Sequence, residues 1–165
     1  MKDTKTIKKA KIFSIILMPQ VHQYVAILEE IDGTRLLPIW IGVNEGNAIA
    51  MHMEKQKMPR PMTHDLLAGI LNKVGVKVEK IVISDLKENT YYATLYIKLD
   101  GKSYEIDARP SDSMAIAVRT DSPIFIEEKV FEKCPVIRKP ITDQEIEEFK
   151  TKLKDLKPED FFNKT

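Results

Sequence analysis

The chain has a single cysteine, Cys134, in 165 residues. That excludes an internal disulfide and a cysteine-built zinc site, and leaves the thiol a structural reading. Long hydrophobic runs are missing as well. The longest, "IFSIIL" at 12–17 and "LLPIWIG" at 36–42, fall far short of the ~20 apolar residues a membrane helix needs. No signal-peptide pattern precedes them, so the expectation is a soluble cytoplasmic protein with no membrane partner. Charge of one sign is also lacking. The net charge is +1, with 21 Lys and Arg against 18 Asp and Glu in residues 1–141, and 5 against 7 in 142–165. Dedicated nucleic-acid binders usually carry a basic stripe, because neutralising phosphate supplies most of their affinity. The one basic run here, Lys2, Lys5, Lys8, Lys9 and Lys11, reads as a solvated arm. There is no phosphate-binding glycine loop, nucleophile elbow or zinc spacing.

What is present is a repeat. Shifted by 67 positions, residues 14–51 lie without a gap on residues 81–118: Tyr24 meets Tyr91, Leu28 meets Leu95, and Ala48-Ile49-Ala50 meets Ala115-Ile116-Ala117. Each copy runs apolar strand, turn, alternating strand, turn with Asp-Gly, third strand, small-residue helix. Asp100-Gly101 is a hairpin signal, and Ile31-Asp32-Gly33-Thr34 turns the chain in the first copy. Between the copies, "THDLLAGILNKVG" (63–75) predicts a helix capped by Thr63, striped by Leu66, Leu67, Ile70, Leu71 and Val74, and ended by Gly75. The fold class is therefore α+β, duplicated β-β-β-α units with a mainly antiparallel sheet and packed helices. At 43% hydrophobic the chain can bury one core. Residues 1–134 form that domain, including a strand and helical turn in "SPIFIEEKVFEKC". Residues 135–165 are a linker (Pro135 to Pro140) and an amphipathic helix, with a capping box Thr142-Asp143-Gln144-Glu145 and a stripe of Ile146, Phe149, Leu153 and Leu156. That stripe needs a partner: the domain, another subunit, or none in a frayed tail.

Where the copies differ, candidate chemistry collects. Alternation along the third strand of the second copy puts Glu105, Asp107 and Arg109 on one face, where the first copy has Pro38, Trp40 and Gly42. "RPMTHD" (60–65) and "RPSD" (109–112) each set Arg-Pro before a capping Thr63 or Ser111, with Asp65 or Asp112 in the first helical turn. Proline holds the arginine extended, and arginine beside a helix N-terminus suits phosphate. In one reading the carboxylates stabilise their helices and pair with the arginines. In the other they hold Mg²⁺, which bridges to a phosphate clamped by Arg60 and Arg109. His64 is placed to act as general acid or base. His22, in a turn, and His52, late in the first-copy helix, receive no role.

"LPIWIGVNEGNAIAM", "RPMTHDLL", the strands near 81–107, "IDARPSDSMAIAVR" and "PIFIEEKVF" resemble the bifunctional nuclease domain family, over roughly residues 11–133. The tail is similar to the extension many bacterial members carry, and no UvrB/UvrC-type helical motif is evident. The resemblance implies a duplicated α+β domain forming a homo-oligomer, a dimer. It also implies cleavage of RNA and DNA, the activity associated with plant members. The family motif residues map onto Glu45, Arg60, Thr63, His64, Asp65, Asp107, Arg109, Ser111 and Asp112. On this basis the expected function is phosphodiester hydrolysis of RNA or DNA assisted by a divalent cation, Mg²⁺ or similar. Asp107, Asp112 and Glu45 are the expected metal ligands. Arg60, Arg109, Ser111 and Thr63 would bind phosphate, and His64, Asp65, Asp107 and Asp112 would form the catalytic group. The alternative is a non-enzymatic oligomeric binding module whose Arg/Asp cluster is structural. One departure is Gly46-Asn47 after Glu45, which weakens the helix by about 1 kcal/mol for the glycine and leaves room for another backbone to approach.

Overall fold

Two three-stranded meanders make up most of one sheet. In the computed structural model, which describes residues 6–135, 137–140, 142–155 and 157, the first copy comprises β1 (Ile7–Met18), β2 (Gln23–Glu30), β3 (Arg35–Gly42) and helix α1 (Val43–Met53). Helix α2 (Thr63–Lys73) leads to the second copy: β4 (Lys77–Lys87), β5 (Thr90–Leu99), β6 (Lys102–Ala108) and α3 (Pro110–Thr120). The chain then forms β7 (Ile124–Glu127), α4 (Glu128–Lys133), β8 (Ile137–Arg138) and α5 (Asp143–Asp155). Lys2, Lys5 and Leu156 lie outside the described residues.

The eight strands follow the order β6-β5-β4-β7-β1-β2-β3-β8. The copies are thus mirrored in order about β7, which pairs antiparallel with β1 and parallel with β4. Positive φ marks the tight hairpins: Glu88 and Asn89 at 47° and 60°, Asp100 and Gly101 at 50° and 79°. Both central residues are left-handed, as a two-residue hairpin turn requires. Every inter-strand pair other than β4–β7 is antiparallel, so the α+β class and the duplication are both present.

Strand alternation sends Ala26, Leu28, Ile39, Ile81, Ile83, Ala93 and Ile126 to one face, where Ile49 of α1, Met114 of α3 and Phe131 of α4 close the main core. The opposite face carries Met18, Val25, Ile27 and Leu36 under Phe149 and Leu153 of α5. The tail stripe's partner is therefore the domain itself. Its capping box forms as read, with Thr142 N–H donating to Glu145 Oε2 (2.9 Å) and Glu145 N–H to Thr142 Oγ1 (3.2 Å). The segment read as a linker instead contributes β8, pairing Arg138 and Ile137 with Arg35 and Leu36.

Two charged clamps hold the elements together. Arg35 bonds Glu30 and Glu128 and lies 4.1 Å from the Phe131 ring centroid. Asp85 faces Lys87, Lys129 and Lys133 and accepts the Leu86 N–H. The hydrogen bond from Lys133 contributes most to holding the Asp85 carboxyl far below the ordinary carboxylate range. Among the described residues no helix is long and apolar enough to cross a membrane.

Candidate active site at the meeting of the two copies

Helices α1 and α3 start alike. Gly42 (φ −64°, ψ 159°) and Arg109 (φ −70°, ψ 145°) are their extended N-cap residues, and Glu45 and Asp112 are their third helical residues. These are equivalent positions under the 67-residue shift. The duplication brings both carboxylates to one guanidinium: Arg109 Nη2 donates to Glu45 Oε1 (3.0 Å) and Arg109 Nε to Asp112 Oδ2 (2.8 Å). Gly42 makes room for this, since a Cβ there would stand 2.4 Å from Glu45 Oε2. Asp112 Oδ1 also meets His64 Nε2 at 2.9 Å. The result is a line, Glu45–Arg109–Asp112–His64, that joins α1, α3 and α2.

A second tie lies beneath it. Arg119, only 7% exposed in its side chain, donates to Asp65 Oδ1 (2.6 Å) and to the carbonyls of Ala115 (2.9 Å) and Ala48 (3.0 Å). Asp65 also accepts the Met62 N–H at 2.9 Å. That backbone bond, followed by the one from Arg119, lowers its carboxyl. Burial opposes ionisation of Asp112, but the hydrogen bonds from Arg109 and His64 outweigh it and hold that carboxyl below its ordinary value. Arg109 is raised by Asp112 and then Glu45, yet its side chain stays 65% exposed.

These groups wall a cleft of about 460 Å³. Glu45, Thr63, His64, Asp65, Arg109 and Asp112 all line it, together with His52, Arg119 and the methionines Met51, Met58 and Met62. Arg60 and Asp107, both exposed, are not among the lining side chains. Asp107 instead projects from β6 opposite Thr94, because the strand ends at Ala108 and Arg109 turns away as the helix cap. The expected Asp107–Arg109 pairing on one strand face thus gives way to an Arg109–Asp112 pairing across one helical turn. Asp65 pairs with Arg119 where the Arg-Pro pattern suggested Arg60. Thr63 and Ser111 are not caps either. Met62 and Arg109 occupy the cap positions, with Thr63 first and Ser111 second in their helices, and Ser111 lines a neighbouring cleft. Gly46 admits a ring rather than a backbone: a Cβ there would lie 2.2 Å from Tyr24 Cδ2, and the Tyr24 hydroxyl reaches Asn47 Oδ1 at 2.6 Å.

Sequence reasoning missed Arg119 and His52. A signal existed, since the same shift that aligns Glu45 with Asp112 aligns His52 with Arg119, and both line the cleft. Of the expected metal ligands, Glu45 and Asp112 meet on Arg109, and Asp107 lies outside the cleft. Among the described residues no three His, Cys, Asp or Glu side chains are grouped to hold an ion. Both Asp112 oxygens and one of Glu45 are engaged, and a guanidinium sits between them. This donor set does not fit a resident divalent cation.

Residues 26–139 match the bifunctional nuclease domain. An uncharacterized protein of Mycobacterium tuberculosis (strain H37Rv) is 38% identical over 149 residues, 85% of this chain and 89% of that one. Bifunctional nuclease 2 of Arabidopsis thaliana is 31% identical over 104 residues, 61% of this chain and 32% of its own. Bifunctional nuclease 1 of Oryza sativa subsp. japonica is 24% identical over 112 residues, 66% and 34% respectively. With the match taking in the second copy, the first copy from residue 26 onward and every residue of the Glu45–Arg109–Asp112–His64 line, the chain belongs to the bifunctional nuclease domain family.

Proposed function

We propose that the protein cleaves phosphodiester bonds of RNA or DNA in the cleft between α1, α2 and α3. The observation that carries this reading is the Glu45–Arg109–Asp112–His64 line, which sets an exposed guanidinium and an imidazole on one wall. Arg109 is fixed in position by two carboxylates and offers its open edge to a phosphate oxygen. With Asp112 accepting from Nε2–H, a neutral His64 carries its lone pair on Nδ1 and serves there as general base, oriented by the carboxylate. Asp65 and Arg119 hold α2 against α3 and so keep His64 in register. The two arginines face three carboxylates, so substrate is drawn by local geometry rather than by a basic field, and affinity is modest. A divalent ion enters only as a counter-ion carried by the nucleic acid, and no step runs through it.

The test is cleavage of labelled RNA, single-stranded DNA and duplex DNA, with and without EDTA, by wild type and His64→Ala purified identically. Loss of about 10²-fold or more in the folded variant supports the reading, that being the general-acid–base contribution. Equal cleavage by both proteins contradicts it.

A second reading, an oligomeric binding module, draws on α2. None of its residues is buried, and Leu66, Leu67, Ile70 and Val74 are 43–58% exposed. An apolar stripe of this kind suits association with a second copy of the chain as a homodimer. Cleavage and association are compatible, so the assay above separates enzyme from module.

A further inference from the structure

A second group of charges lies outside the cleft, where helix α4 meets the end of β4. Asp85 faces three lysines: Lys133 Nζ at 2.6 Å, Lys129 Nζ at 3.2 Å and Lys87 Nζ at 3.3 Å. Lys129 also lies 3.5 Å from Glu127. Three ammonium groups against two carboxylates leave one positive charge in excess. The lysine side chains are 42–64% exposed and the two carboxylates only 5–12%, so the ammonium groups are what solvent meets. An ammonium carries three donors, and a carboxylate on one side leaves others for a second anion.

The cluster belongs to the second copy alone. Under the 67-residue shift Asp85, Lys87 and Tyr92 correspond to Met18, Gln20 and Val25, and Met18 and Val25 are covered by α5. Helix α4, outside the repeat, adds Lys129 and Lys133 one turn apart on one face. Tyr91 packs against the main core, and alternation sends the exposed Tyr92 to the opposite face, where it pairs with Asp85 across β4 and β5. The Lys87 ammonium sits 5.6 Å from the Tyr92 ring centroid, which holds that lysine over the sheet. On β6, Asp107 stands opposite Thr94 and Glu105 opposite Tyr96, so the far edge of this face is acidic and the positive charge is confined to the β4 side.

We infer that Lys87, Lys129 and Lys133 bind backbone phosphates of a single-stranded nucleic acid whose scissile phosphate sits on Arg109. The choice of ligand rests on the nuclease reading, and the inference adds to it the course of the strand beyond the cleft. The β4–β5 hairpin that follows Lys87 puts Asn89 and Thr90 on a cleft that Arg109 also lines. Asp85 is four residues before Asn89, about 13 Å along a strand, so the lysines and the guanidinium share one end of the sheet. A nucleic acid reaching both passes round that end, a bend that a single strand makes and a stiff duplex resists. A chain of net charge +1 offers no basic field, and Asp85 supplies a local substitute. It fixes three cations from two elements, as Glu45 and Asp112 fix Arg109, and side chains already held in place lose less freedom on binding.

The experiment follows the fluorescence anisotropy of an end-labelled single-stranded RNA of roughly a dozen nucleotides over a salt series. Every protein carries His64→Ala so that the strand stays whole. Lys129→Gln with Lys133→Gln is set against Lys152→Gln with Lys154→Gln, which removes the same charge from α5, and against Lys129→Arg with Lys133→Arg, which keeps it. Lys87→Gln leaves both α4 lysines on Asp85 and so covers the case in which the α4 glutamine pair fails to fold. The expected result for that pair is roughly tenfold weaker binding, with the slope of log Kd against log salt lower by about 1.4. Lys87→Gln should lose less, with a slope change of about 0.7, and the α5 and arginine pairs should bind as the parent does. Parent-like binding by the α4 glutamine pair and Lys87→Gln, or equal weakening by the α4 and α5 glutamine pairs, overturns the inference even if the wild type cleaves RNA. An equal loss on duplex DNA overturns the course round the sheet end. Binding that depends on the α4 lysines, in a protein whose wild type cleaves no nucleic acid, sinks the nuclease reading and leaves the phosphate site standing.

Discussion

In the first copy β2 and β3 are buried over most of their length, whereas in the second copy β6 is exposed from Lys102 to Asp107. The backbone plan is the same, so the difference lies in the elements packed over each copy. Helix α5 covers the first copy's outer face, and β8 covers the start of its edge. The second copy has no equivalent cover among the described residues. At the helix starts the same duplication works in the opposite sense: equivalent carboxylates, Glu45 and Asp112, meet one arginine that only the second copy possesses. Symmetry of the scaffold brings the groups together, and asymmetry of one residue, Gly42 against Arg109, makes a site of them.

The sharpest way to break this comparison is to neutralise each carboxylate in turn. Asp112→Asn disturbs both Arg109 and His64 and is expected to lower kcat/KM on labelled RNA by about 10²-fold or more. Glu45→Gln loosens only Arg109, and a loss nearer about 10-fold is expected. Equal losses would deny the asymmetry.

Next in size is stability. Position 85 corresponds to Met18 of the first copy, so a buried acid with three lysine partners replaces a buried thioether. Asp85→Ala should destabilise by on the order of 2 kcal/mol in urea unfolding, since the Leu86 N–H loses its acceptor and the lysines their counter-charge. Because the folded-state pKa of Asp85 is depressed, its stabilisation is complete above the unfolded value of about 4 and is lost as pH falls through the folded value. Wild type should therefore lose more stability than Asp85→Ala between pH 5 and pH 2. Parallel pH dependences would remove Asp85 from that role.

Gly46 and Ser113 form a smaller test, again at equivalent positions. Gly46→Ala drives a methyl into the Tyr24 ring and should cost about 1–3 kcal/mol. Ser113→Ala should change stability little, because its buried hydroxyl has no hydrogen-bond partner among the described residues. Thermal melts of both variants decide it. Smallest of all in stability is the α2 face. Leu67→Glu with Ile70→Glu should leave the melting temperature nearly unchanged while converting a dimer to monomer in light scattering, and a monomeric wild type would refute association there.

Most of the fold was legible because it rests on local signals. Two-residue periodicity, Asp-Gly turns and the Thr142–Glu145 capping box each act over a few residues. Strand β8 was hidden because two residues between prolines carry no period, and their pairing depends on Arg35 and Leu36 a hundred positions away. Of the site, Glu45, His64, Asp65, Arg109 and Asp112 were singled out, and they do share one cleft. Their partners were misjudged wherever strand alternation was extended one residue too far, at Arg109, or where neighbours in sequence were assumed to be neighbours in space, at Arg60. Arg119 resembles an ordinary cation near a helix C-terminus, and only its burial against Asp65 reveals a different role.

The most direct measurement sets the two Arg-Pro arginines against each other. Arg109→Ala and Arg60→Ala, each shown folded by circular dichroism, are assayed for RNA cleavage beside wild type. A site at the meeting of α1 and α3 requires Arg109→Ala to lose at least about 10²-fold and Arg60→Ala to stay within about threefold of wild type. An Arg60→Ala loss equal to that of Arg109→Ala, or wild-type cleavage by both, would contradict it.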